Sequence, residues 1–139
     1  MTVTLPQPIY VVSDGTGDTA ETVVRAALHQ FQGYLVHIQT FPNVQEREQL
    51  ERLIRRAAKD NALVCTTLVR PDMRSLALEL SQQHRVRTVE LLGHLLNSLT
   101  SFLDQAPEGV PGRMHQAEEW YFRRVEAVEF TVKADNGKE

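Results

Sequence analysis

Four times between Ile9 and Leu103, a short apolar run rich in β-branched residues gives way to a segment whose apolar residues recur at helical spacing. That alternation limits the chain to few architectures, because a parallel strand pair needs a crossover and a helix is the usual one. Strands are expected over 9–12, 34–41, 62–69 and 86–91. The first helix carries Val23, Val24, Ala27, Leu28 and Phe31 on its apolar side, with Asp18 and Glu21 as its capping box. Asn43 and Glu46 form the corresponding pair for a second helix marked by Leu50, Leu53, Ile54 and Ala57, ending near Lys59. Pro71 suits a first helical turn and opens a third, with Met73, Leu76, Ala77 and Leu80. A fourth follows through Leu92, Leu95, Leu96, Leu99, Phe102 and Leu103. The implied fold is α/β: an open, mostly parallel sheet of about four strands with helices on both faces. The uncharged 62–69 run suits a strand covered on both sides.

The character changes after residue 106. Pro107, Gly109, Pro111 and Gly112 mark a turn-rich link, and Tyr121, Val125, Val128 and Val132 then give helical spacing over 117–133. We therefore read 1–106 as an α/β domain and 107–139 as a linker and C-terminal helix. A last helix with no following strand reads as the front part of a longer protein.

At 139 residues the chain is long enough for one domain with a real core. The net charge of −3 argues against a nucleic-acid partner or an anionic membrane surface, both of which want a basic excess. No apolar stretch approaches the roughly 20 residues that span a bilayer, and the first residues lack a secretory pattern. A cytoplasmic protein is expected. The single cysteine, Cys65, rules out an internal disulfide, and its apolar neighbours suit a small buried hydrophobe.

In open parallel sheets, ligands gather beyond the carboxyl ends of the strands. The loop Ser13-Asp14-Gly15-Thr16-Gly17-Asp18 leaves the first strand there, and Arg70 follows the third. Two glycines and several hydroxyls ahead of a helix start turn backbone N–H groups towards one point, which favours a phosphate or another anion. Ser13, Thr16, Thr19 and the backbone of Gly15 and Gly17 are the candidate phosphate ligands, with Arg70 as a pairing cation. Asp14 either orients a hydroxyl nucleophile or braces the turn. No metal site is expected.

Three familiar chemistries meet obstacles. Gly15-Thr16-Gly17-Asp18-Thr19-Ala20 fits a dinucleotide fingerprint, but the second strand ends in Gln39-Thr40-Phe41-Pro42, without the carboxylate that holds ribose. Asp14-Gly15-Thr16 suggests an aspartyl-phosphate phosphatase, yet the nucleophile's place two residues earlier holds Val12. A nucleotide P-loop needs Gly-x-x-x-x-Gly-Lys-Ser/Thr, and the 139 residues contain no such run.

The stretch Val12-Ser13-Asp14-Gly15-Thr16-Gly17-Asp18-Thr19-Ala20-Glu21-Thr22 resembles the opening of the bacterial and plant pyruvate, phosphate dikinase regulatory proteins and of their relatives that regulate phosphoenolpyruvate synthase. A second block, Pro111-Gly112, His115, Tyr121-Phe122, Arg124, Glu126-Ala127, Glu129-Phe130 and Asp135-x-Gly137, falls in that family's order and spacing. The resemblance implies a bifunctional enzyme that phosphorylates a threonine beside the catalytic histidine of its target, with ADP as donor. It also implies removal of that phosphate by inorganic phosphate, releasing pyrophosphate. Both are phosphoryl transfers, which need positioning and charge neutralisation, with Mg²⁺ accompanying the nucleotide.

By the same resemblance His115 becomes an acid–base group or phosphate contact. Tyr121, Arg124, Glu126, Glu129 and Asp135 become contacts to the target or to a further half. Two departures matter. The family's P-loop falls shortly after Glu139, and its Asp-Asp-Gly element reads Asp135-Asn136-Gly137. The alternative is a non-catalytic α/β module that binds the target protein or a phosphate-bearing ligand. A homodimer through Val125, Val128 and Val132 is a further expectation.

Overall fold

In the computed structural model, which describes residues 5–111, four strands and four helices alternate along the chain. They are β1 (Gln7–Ser13), α1 (Asp18–Leu28), β2 (Val36–Phe41), α2 (Arg47–Asp60), β3 (Leu63–Thr67), α3 (Pro71–His84), β4 (Thr88–Glu90) and α4 (Gly93–Leu103). All strand pairs are parallel, in the order β2-β1-β3-β4. The expected 117–133 helix lies outside the described residues, as do His115, Tyr121, Arg124, Glu126, Glu129 and Asp135.

Side chains alternate across the sheet, and the alternation divides the core in two. Tyr10, Val12 and Val64 point to the side carrying α2 and α3, where they join Leu50, Ile54, Ala57, Met73, Leu76, Ala77 and Leu80. Ile9, Val11 and Cys65 point the other way and meet Ala20 and Val24 of α1. Helices thus cover both faces. Cys65 is buried, as a small hydrophobe in this position should be, and burial pushes its thiol pKa up.

Several local expectations needed correction. β2 begins at Val36, because Tyr34 and Leu35 remain exposed before the sheet is reached. β4 is only three residues long. Neither expected capping box forms. Gly17, with φ 85°, takes the N-cap of α1, so Asp18 stands inside the first turn. Glu21 turns instead to Arg25 and to the Thr40 hydroxyl. Asn43 is left-handed and gives its N–H to the Gly15 carbonyl at 2.8 Å. The capping box of α2 is one turn later, between Glu46 and Gln49.

α2 and α3 end alike. Asn61 and Arg85 take left-handed conformations, and the next residues, Ala62 and Val86, donate back to the carbonyls of Ala57 and Ser81. This closing motif satisfies the helix's orphan carbonyls and buries the residue that follows. Left-handed backbone costs a non-glycine residue roughly 1 kcal/mol. Asparagine is a common occupant and arginine is not.

Candidate functional site

β1 has its neighbours β2 and β3 on opposite sides, so the strand order reverses at its carboxyl end. In sheets of this kind a crevice opens at such a reversal, and ligands use it. The loop 13–18 leaves β1 at that place, and residues 68–70 leave β3 beside it.

Gly17 makes the loop possible. A Cβ there would stand 2.7 Å from Thr40 Cγ2, and φ +85° is strained for any side chain. The loop is bound on several sides. Ser13 Oγ accepts the Gly15 N–H at 3.0 Å, and Thr16 Oγ1 accepts that of Asp18 at 3.3 Å. The segment between β2 and α2 donates across to it, from Val44 N to the Ser13 carbonyl at 2.9 Å and from Gln45 Nε2 to the Asp14 carbonyl at 3.2 Å.

Asp14 is 1% exposed, and its Oδ2 accepts the backbone N–H of Val69 at 2.9 Å and, more weakly, that of Arg70 at 3.5 Å. The side chain therefore ties the end of β1 to the end of β3. Burial raises its pKa, and the two amides oppose the rise without cancelling it. These contacts brace the turn. Arg70 stands at the same edge with its guanidinium engaged. It grips Asp72 through Nε at 3.1 Å and Nη2 at 2.6 Å, and donates from Nη1 to the Gln45 carbonyl at 2.8 Å. That contact holds the Asp72 carboxyl below its ordinary range.

Reading the residues alone missed Thr40 and Thr67. Thr67 pairs with Ser13 in register and Thr40 with Val11, so all three lie on the α1 side at the carboxyl ends of adjacent strands. Thr40 donates to Glu21 at 3.2 Å, while the buried Thr67 hydroxyl meets no partner. The visible clue was the Thr66-Thr67 pair closing an otherwise apolar strand. Above these hydroxyls lies the first turn of α1, where backbone N–H groups have no acceptor within the helix. Thr16 is exposed there, whereas Ser13, Gly15 and Gly17 are buried and Thr19 is half-buried. Such an edge can hold an oxyanion by N–H and O–H donation. Asp18 and Glu21 already occupy the positive end of the helix dipole, so an anion shares that field with two carboxylates. Among the described residues, no group of three or more His, Cys, Asp or Glu side chains is placed to hold a metal ion. No helix among them is long and apolar enough to cross a membrane.

A family model described as kinase/pyrophosphorylase matches residues 9–139. Curated relatives named pyruvate, phosphate dikinase regulatory protein align with 94% of this chain. That of Halalkalibacterium halodurans is 39% identical over 131 residues, covering 48% of the relative's length. Those of Trichlorobacter lovleyi and Sorangium cellulosum are 41% and 42% identical, covering 49% and 47% of their lengths. The chain spans about half the length of the curated relatives it matches.

Proposed function

The chain belongs to the kinase/pyrophosphorylase family, and from that premise we propose that it is the N-terminal α/β part of a regulatory phosphotransferase. Its target in this reading is pyruvate, phosphate dikinase or phosphoenolpyruvate synthase, with a threonine as the residue modified. ADP is the donor for phosphorylation, with Mg²⁺ carried on its phosphates, and inorganic phosphate is the attacker in the reverse regulatory step. The observation that carries the proposal is the family match across 9–139, joined to a glycine loop at the sheet's switch point. In the proposed site Thr16, Thr19, Ser13 and the backbone of Gly15 and Gly17 hold a phosphoryl group, and Asp14 keeps the loop seated. Arg70 takes part by exchanging Asp72 for the anion.

A second reading, a non-catalytic module for the target or for a phosphate-bearing ligand, draws on two observations. Asp14 is committed to backbone amides, and the 139 residues hold no Gly-x-x-x-x-Gly-Lys-Ser/Thr run. One experiment separates the two. The chain is incubated with dikinase phosphorylated on its catalytic histidine, ADP and Mg²⁺, and mass spectrometry searches for phosphothreonine beside that histidine. Transfer above a control lacking the chain supports catalysis by these residues. Stable association without transfer selects the binding module, and the absence of both transfer and association rejects both readings.

A further inference from the structure

The carbonyls of Ser13, Asp14 and Gly15 are all held from one side, by the segment that joins β2 to α2. Asn43 N donates to Gly15 at 2.8 Å, Val44 N to Ser13 at 2.9 Å and Gln45 Nε2 to Asp14 at 3.2 Å. In a trans peptide the N–H points opposite to the carbonyl it adjoins. The amides of Gly15 and Thr16 are therefore turned away from 43–45. The first folds back onto Ser13 Oγ, and the second stands just ahead of α1. Beside them, on the α1 side of the same edge, the buried Thr67 hydroxyl meets no partner among the described residues, a polar group left over for a ligand.

Gln45 has further contacts. Its carbonyl accepts Arg70 Nη1 at 2.8 Å, while the other nitrogens of that guanidinium hold Asp72. Its own N–H is fixed by Gln49 Oε1 at 3.0 Å, in the first turn of α2. One exposed residue thus joins the glycine loop, the exit of β3 and the start of α2. We propose, on the reading of the glycine loop as a phosphoryl site, that Gln45 is the positioning residue of that site. Its side-chain amide fixes the direction of the Asp14–Gly15 peptide, and with it the Gly15-Thr16-Gly17 backbone that meets the anion. Its carbonyl keeps Arg70 tethered beside the loop while Asp72 is exchanged for the anion. Loop and guanidinium then receive the ligand from fixed places, which lowers the cost of ordering them on binding.

Inorganic phosphate is the probe, titrated into the full 139-residue chain with backbone amides followed by NMR. In the parent, shifts should appear within residues 14–20. Gln45→Met keeps the reach of the side chain and loses the donor. It should raise the phosphate dissociation constant about fivefold, the worth of one neutral hydrogen bond. Its Tm should stay within about 3 °C of the parent, because an exposed side chain carries little of the fold. Gln45→Met combined with Arg70→Gln should weaken binding by less than the product of the single effects, since both act through one tether. The proposal is overturned by unchanged affinity in Gln45→Met, by a larger loss of Tm, or by full multiplication of the two effects. If the parent binds phosphate in any of these cases, the phosphoryl reading survives. A parent that binds none at about 10 mM fails that reading itself, and the proposal with it.

Discussion

The two faces of the sheet are covered unequally, and the inequality separates packing from recognition. On one face α2 and α3 seal Tyr10, Val12 and Val64 beneath a continuous apolar layer, with Leu50 and Ile54 fully buried. On the other, α1 supplies only Ala20 and Val24 to the buried core. Val89 of the edge strand is left exposed, and so are Leu95, Leu99, Phe102 and Leu103 of α4. Gly93 is the one residue of α4 that is buried. Stability should therefore reside in the α2/α3 face, and the α1 face and α4 should tolerate change.

Leu50→Ala is the strongest way to break that contrast. A fully buried leucine replaced by alanine leaves a cavity and should cost about 3 kcal/mol of unfolding free energy in urea titration. Leu99→Ala on α4 should cost far less. Equal losses would mean that α4 is packed as tightly as α2 in solution.

Gly17→Ala comes next and probes the thin face where it meets the loop. The added Cβ collides with Thr40 and the residue must keep a left-handed backbone. We expect a loss of about 2 kcal/mol. Thr40→Ser in the same chain should return part of it, because the methyl that causes the clash is gone while the hydroxyl to Glu21 remains. Thermal unfolding of the single and double variants measures both.

The same contrast explains what could be read from residues alone. Strand and helix order was legible because it depends on periodicity and β-branching, which neighbours in sequence carry. The apolar stripes of α2 and α3 gave the buried residues for the same reason, except Leu53, which is only partly buried. For α1 and α4 the stripe overstated burial: Val23, Leu95 and Phe102 are exposed, and Phe31, expected on the first helix, lies exposed beyond its end at Leu28. Periodicity marks an apolar side and says nothing of whether a partner lies against it. Caps were misplaced where a long-range contact decided the matter. Asn43 had the right side chain for a cap, but its backbone N–H was claimed by Gly15, 28 residues earlier in the chain. At the candidate site, the glycine loop was visible as a motif. The tie from Asp14 to Val69 and the alignment of Thr67 with Ser13 were not, because both depend on β1 and β3 becoming neighbours across an intervening strand and two helices.

Asp14→Asn is a smaller and pH-dependent change. One carboxylate oxygen accepts both amides, and an asparagine carbonyl can do the same without a buried charge. Because burial raises the folded-state pKa above the ordinary 3.8, the folded protein holds this proton more tightly than the unfolded chain. The parent's stability from Asp14 is thus fully present below that ordinary value and is lost as pH rises through the raised one. The variant should equal or exceed the parent at pH 7, by about 1 kcal/mol or less, and the gap should close in acid. A variant that is markedly less stable at pH 7 would show that the charge itself holds β1 to β3.

Phe102→Ser has the smallest expected effect and sharpens the comparison most. Its ring is 84% exposed, so little apolar area returns to water on substitution, and a surface change of this kind should stay within about 0.5 kcal/mol. An isolated apolar side chain on a surface needs no partner. Phe102, however, stands on the same short helix as exposed Leu95, Leu99 and Leu103, and contiguous patches of that kind mark interaction surfaces. The substitution should therefore leave unfolding unchanged while altering association. Sedimentation of parent and variant over a range of concentrations would detect self-association through this helix as a parent-only increase in mass. A loss of stability above about 1.5 kcal/mol at every concentration would instead mean that α4 is packed within the chain.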